Sequence, residues 1–192
     1  ELNEKLHETV YTVDYQDIRI IVLNSNGILE KQTNYIEQQL KTSTAKWNII
    51  TSHHSIFSPA EGRDFKYARK KWKPLFDQYN VDLVLNGHDH VYARGHVPKI
   101  STDSEAENLG TIYVTSVSGP KQYYLDKEHI QTYSKDGYQL DRSAEQTQFF
   151  QVIEVVDNKL IYIAYNALGE EYDRAVITKD FNTGRKELLQ TK

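Results

Sequence analysis

Two short apolar runs, each closing on a pair of histidines, constrain this chain more than any other feature. Residues 46–54 read KWNIITSHH and residues 81–90 read VDLVLNGHDH. Each run has the length and side-chain make-up of a buried strand. Between them, residues 64–79 carry Trp72, Leu75, Phe76 and Tyr79 at helical spacing, and Pro74 predicts that the last turns start afresh there. Helices alternating with short apolar strands give an α/β layered sheet. Both histidine pairs then lie just past a strand end, where open α/β sheets place their ligands.

The flanks extend the pattern. Residues 8–15 alternate as a half-buried strand, Gln16-Asp17 is a tight turn, and residues 18–23 form the second arm of a hairpin. Residues 30–42 read as a helix with Tyr35, Ile36 and Leu40 on one face. Residues 110–116 are a strand and residues 127–132 a short helix. Residues 148–156, 159–164 and 174–178 are strands joined at Asp157-Asn158 and at Gly169. Residues 101–108 are polar and acidic, which predicts an exposed loop. A chain of 192 residues suffices for one domain with a sizeable core, or for a large part of a bigger one.

Four of the seven histidines fall in the two pairs. Neutral imidazole is a common nitrogen ligand for zinc, iron and manganese. Gly87 lets the backbone turn sharply before His88. His88 and His90, two residues apart, can project from one side of an extended segment. A lone His-x-His is most often a surface feature. Two such clusters with a helix between them balance a shared metal site against a polar surface at even odds. Composition narrows the chemistry further. With no cysteine, disulfides, thiolate catalysis and cysteine-ligated zinc are excluded. A net charge of −4 gives no basic footprint, so no nucleic-acid partner is expected. No run approaches the roughly 20 apolar residues of a membrane span. There is no methionine and the chain opens Glu1-Leu2-Asn3, which predicts a processed product or a piece of something longer.

Beyond these readings, the sequence resembles a known family. IITSHHSIFS, followed by VDLVLNGHDHVYARG, is similar to the C-terminal half of a calcineurin-like metallophosphoesterase, nearest to the purple-acid-phosphatase-like branch. VYTVDYQDIRIIVLNSN, ARKKWKPLFDQYNVDLVLNGHDH and LGTIYVTSVSGP extend the likeness over most of residues 11–120, and LGEEYDRAVITK resembles that branch's terminal strand pair. The resemblance implies an α/β fold: the C-terminal part of a four-layer α/β/β/α sandwich, residues 1–192 forming that portion of a single domain. It implies a dinuclear metal centre of iron, zinc or manganese, with His53 and His88 on one ion and His90 on the other. His54 then faces the substrate or simply packs. Ser55 stands where family members often have proline, a change to the loop rather than to the ligand. Arg63 is the candidate for binding phosphate. Arg94 is a second candidate, for which a structural ion pair serves equally well. The implied reaction is hydrolysis of a phosphoric ester by a metal-bound hydroxide, two ions about 3.5–4 Å apart clamping the phosphoryl oxygens. The branch resembled also implies an extracytoplasmic location.

That family also uses upstream Asp-x-His or Asp-x-Gly, Gly-Asp and Gly-Asn-His motifs, and none precedes His53 here. Asp14 and Asp17 match no such motif, and the family does not use the position of Asp89 as a ligand. The chain thus offers two ligands to one ion and one to the other, against about three per ion at a catalytic site. The expectation is a fragment of a metal-dependent phosphoesterase, inactive alone, whose partners are a phosphoester substrate and the missing N-terminal half of the same protein. Two alternatives stand beside it: a non-catalytic binding domain using the loops of residues 119–145, and a mononuclear metal-binding protein using His53, His88 and His90. His7, His96 and His129 read as surface residues, and the tyrosines as packing.

Overall fold

The computed structural model describes residues 4–99 and 108–191. The acidic loop expected over residues 101–108 falls outside these, apart from Asn108, which begins a strand. The chain opens as the expected hairpin of β1 (Tyr11–Tyr15) and β2 (Ile18–Leu23), paired antiparallel with Val13 opposite Ile20. Then follow α1 (Leu29–Lys41), β3 (Trp47–Ser52), α2 (Lys66–Gln78) and β4 (Leu83–Asn86). β5 (Tyr92–Lys99), β6 (Asn108–Thr115), α3 (Lys127–Thr132) and β7 (Gln139–Ala144) complete the first sheet's share of the chain. β8 (Phe149–Val156), β9 (Lys159–Asn166), β10 (Glu171–Lys179) and β11 (Lys186–Thr191) form a separate antiparallel meander.

The first sheet has seven strands in the order β1-β2-β3-β4-β6-β5-β7, with β2, β3, β4 and β6 parallel. Its parallel strands are covered on both faces, which is why they read as unbroken apolar runs. Alternation divides them: Ile50 and Val84 join Ile36, Leu40, Trp72 and Phe76 in a core under α1 and α2. Trp47, Ile49 and Leu83 face the other way, against Tyr162, Ala164, Ala175 and Ile177 of the second sheet. Each fully buried Ile or Leu in these two cores contributes roughly 1.5–3 kcal/mol. The four-stranded sheet, ordered β11-β10-β9-β8, therefore forms a third layer. Its outer face leaves Phe150, Val152 and Val156 exposed. The resemblance implied the C-terminal part of a four-layer α/β/β/α sandwich, and the described residues form a helical layer and two sheets of it.

Two expectations change. α2 runs through Pro74 without restarting. The carbonyl that proline leaves without a donor belongs to exposed Lys70, where solvent can reach it. Strands β5, β7 and β11 had no counterpart in the sequence reading. β5 contains Gly95 and Pro98, both adverse in a strand, and bulges absorb them: its register shifts against β7 between Arg94 and Gly95, and against β6 between His96 and Pro98. No helix among the described residues is long and apolar enough to cross a membrane.

Candidate metal centre

β3 and β4 are parallel neighbours that end level, Ser52 opposite Asn86. Asn86 locks the two ends together, its Nδ2 donating to the Ser52 carbonyl (3.0 Å) and hydroxyl (2.9 Å). One residue on, the Gly87 amide donates to the His53 carbonyl at 3.0 Å. This places the two histidine clusters side by side. His88 Nδ1 and His53 Nε2 are 2.9 Å apart, and the His54 ring centre is 4.1 Å from that of His88. His54 stacks on Phe65 and its Nδ1 lies 2.9 Å from the Ser25 hydroxyl. Burial, then the neighbouring His53 and Arg63, hold the His54 imidazole below its ordinary range. The same effects, burial first and then His54 and Arg63, bring His88 down to about 4. Both rings are therefore neutral at physiological pH, the form that binds metal.

The Gly-His-Asp-His segment is not extended. His88 (φ 67°) and His90 (φ 52°) both adopt left-handed backbone, which costs a non-glycine residue about 1–2 kcal/mol. Gly87 needs no such freedom: a Cβ there would approach nothing closer than 3.8 Å. The strain thus sits on the two histidines and turns them to different sides. His88 points to His53 and Arg63, while His90 bonds the Lys121 carbonyl at 2.8 Å and lies edge-on to Tyr123. Strain held by surrounding structure at such a place is characteristic of a functional site. Between them, Asp89 turns inward and is fully buried. Neither of its oxygens has a hydrogen-bond partner, because the Ser55 hydroxyl donates to the Gly87 carbonyl and that of Ser58 to the Ser55 carbonyl. Burial pushes the Asp89 carboxyl up to about 6, with Arg63 nearby opposing the shift only in part.

The directions of the hydrogen bonds test the fit to metal. An ion held by nitrogen at 2.0–2.1 Å puts adjacent ligands about 3 Å apart. The 2.9 Å between His53 Nε2 and His88 Nδ1 matches one such edge. His90 is also suitably oriented. Its Nδ1 must donate to the Lys121 carbonyl, so the neutral ring keeps its lone pair on Nε2, the arrangement typical of ligating histidine. Among the described residues no group of three or more His, Cys, Asp or Glu side chains is arranged to hold an ion. These histidines fit part of a metal site, and by themselves they do not fit a dinuclear centre.

The two candidate arginines separate. Arg63 reaches the cluster: its Nη1 lies 2.7 Å from His88 Nε2 and its Nη2 donates to the Tyr123 hydroxyl at 3.1 Å. Arg94 does not. It is fully buried between the sheets, its Nε and Nη2 on Asp173 (2.7 and 2.9 Å) and its Nη1 on Asp141 (2.8 Å). That is the structural ion pair, and it leaves Arg94 no guanidinium edge for a substrate. His96, read as surface, instead bonds Asp141 beside this pair. The sequence reading missed Ser25, Lys121 and Tyr123, which line the cluster from loops after β2 and β6. Tyr123 is held below the usual phenol range by Lys121 and then Arg63. No periodicity marks such loop residues, and only the fold brings them to the histidines.

Several known proteins are similar to this chain. The family described as calcineurin-like phosphoesterase matches residues 4–92. Purple acid phosphatase 3 of Arabidopsis thaliana is 26% identical over 160 residues, covering 77% of this chain and 38% of that protein. An uncharacterized protein of Mycobacterium tuberculosis is 37% identical over 73 residues, covering 34% of this chain and 14% of that protein. The structure of purple acid phosphatase PPD1 from yellow lupin (Lupinus luteus) seeds superposes with a TM-score of 0.68 at 20% identity, over 94% of this chain and 34% of that one. The chain has the purple-acid-phosphatase-like form of the calcineurin-like phosphoesterase fold. Within it, the histidines sit at the strand ends of the seven-stranded sheet, on the part of the chain that the family covers. The chain covers 14% to 45% of the length of the curated relatives it matches.

Proposed function

We propose that this chain is the histidine-bearing part of a metal-dependent phosphoesterase that hydrolyses phosphoric esters. The observation that carries the reading is the pairing of His53 Nε2 and His88 Nδ1 at 2.9 Å, with His90 two residues on oriented separately by the Lys121 carbonyl. In this reading His53 and His88 bind one ion and His90 a second, the ions being iron, zinc or manganese. The carboxylate ligands come from polypeptide outside residues 1–192, the N-terminal part of the same domain. When bound, such ions supply Lewis-acid polarisation of the phosphoryl group. The chain's own residues do the rest: Arg63 holds a phosphate oxygen, Tyr123 steadies Arg63, and His54, fixed by Ser25 and Phe65, borders the substrate. An extracytoplasmic location belongs to the same reading.

A second reading is favoured by one observation, the lack of any metal-ready group of three His, Asp or Glu side chains among the described residues. It is a non-catalytic domain that kept the fold and binds through the loops of residues 119–145. One experiment separates the two. Metal content and hydrolysis of 4-nitrophenyl phosphate are measured for the 192-residue chain and for the protein with whatever its gene encodes ahead of Glu1. Activity and two bound ions in the longer form, lost in His88→Ala, support the phosphoesterase. No ion in either form favours the binding domain.

A further inference from the structure

α2 carries its charges against its own dipole. A helix N-terminus favours anionic side chains and a C-terminus cationic ones. α1 obeys, with Glu30 in its first turn and Lys41 in its last. α2 opens on Lys66, with no acidic residue in its first turn and no capping side chain. Lys66, Lys70 and Lys73, spaced four and three apart, share one stripe of this helix, and like charges at those spacings repel. Arg69 beside them is held by Asp64 and Asp136 (2.7 and 3.0 Å), and Lys73 by Asp77 (2.7 Å). Lys66 and Lys70 are exposed and have no ion pair among the described residues.

These cations border a concavity. Lys66, Arg69, Lys70 and Lys73 line a cavity of about 250 Å³ whose one carboxylate, Asp136, is already bonded to Arg69. Lys73, Pro74 and Asp136 also line a second cavity of about 800 Å³, so the two form one cleft. That size is typical of a small-molecule site. Pro74, Val97, Pro98 and Gly137 give the larger lobe an apolar wall. Where the lobes meet, Pro74 leaves the Lys70 carbonyl without its helical donor. The cleft thus offers positive charge at one end, a free acceptor at the junction and an apolar wall at the other. It lies by Gly110 and Thr111 near the start of β6, whereas the histidines follow the far ends of the parallel strands β3 and β4.

We propose that this cleft binds a small organic phosphate of the nucleoside monophosphate class. The phosphate bridges the ammonium groups of Lys66 and Lys70, which relieves the repulsion between them and makes charge-assisted hydrogen bonds. A sugar hydroxyl donates to the Lys70 carbonyl. The ring lies against Pro74, Val97 and Pro98, where its apolar face leaves water. Inorganic phosphate can fill only the first lobe and a nucleoside only the second, so the joined ligand binds more tightly than either. This site is independent of the reading of the histidines as metal ligands.

The test titrates adenosine 5′-monophosphate into the 192-residue chain by calorimetry with a chelator present, beside inorganic phosphate and adenosine. The nucleotide should bind more tightly than either of its parts, and more weakly as salt rises. Lys66→Gln/Lys70→Gln should weaken the nucleotide on the order of tenfold, two exposed charge contacts being lost, and leave adenosine unchanged. Gln78→Trp, at an exposed position on the wall of the larger lobe, should weaken the nucleotide and adenosine but not inorganic phosphate. His88→Ala should change none of the three affinities. In ¹H–¹⁵N spectra of the wild type, the amides that shift on nucleotide binding should centre on Lys70 and Gly137. A nucleotide that binds no more tightly than its better half, or equally well to both cleft variants, overturns the proposal. So does binding that is lost in His88→Ala or that shifts only the amides of His53, His88 and His90.

Discussion

Arg94 of β5 and Asp173 of β10, 79 residues apart, join the two sheets through a two-point ion pair in which both side chains are fully buried. Tyr92 and Tyr162 close the polar cluster, the Tyr92 hydroxyl bonding both Asp173 and Tyr162. A buried pair of this kind is costly to break from one side, because the remaining charge has no solvent to turn to. Asp173→Ala should therefore lower unfolding free energy by about 3–5 kcal/mol. The apolar double variant Arg94→Met/Asp173→Leu should lose clearly less. Urea denaturation of the three proteins gives the comparison; equal loss in the single and double variants would show that the pair itself is strongly stabilising.

Glycine matters where backbones cross rather than in the histidine motif. A Cβ on Gly95 would lie 2.4 Å from the Gln139 carbonyl oxygen and 2.4 Å from the Tyr138 ring. Gly95→Ala must push β5 from β7, at a cost on the order of 1–3 kcal/mol or more. Gly87→Ala, with open space and ordinary φ, should change thermal stability little despite its place beside His88. Melting temperatures of the two variants decide it.

Lys186 gives a pH signature. It is fully buried, its Nζ bonding the Val81 carbonyl at 2.9 Å with Asp82 at 3.3 Å, and burial lowers it from 10.5 to about 8. Between those two values the unfolded chain holds a proton that the folded chain lacks, so stability from this group rises with pH from about 8 to 10.5. The full gain approaches about 3 kcal/mol. Unfolding free energies at pH 7 to 10 should therefore diverge in favour of wild type relative to Lys186→Met as pH rises. Parallel profiles would contradict it.

Metal content tests the histidines one at a time. His88→Ala should cost one ion and His90→Ala the other in the protein that holds both, measured by elemental analysis after gel filtration. Full occupancy in both variants removes the site assignment.

What the sequence determined by itself were the features that local physics controls. Apolar runs bounded by turn residues fixed β2, β3, β4 and β6, and the span of α3 was legible residue for residue. The placement of histidine pairs at strand ends was equally legible, because a parallel sheet brings such ends together. Tertiary structure decided what depends on distant partners. β5 is a strand although Gly95 and Pro98 break its pattern, since bulges and two neighbouring strands override local preference. Arg94 left the candidate site for Asp173, a partner no spacing could have named. Gly87 proved unconstrained, and the left-handed strain fell on His88 and His90, because the anchors are the Gly87–His53 backbone bond and the loop of Lys121 and Tyr123. The sequence names donors; only the fold sets which proton each carries and toward whom it points.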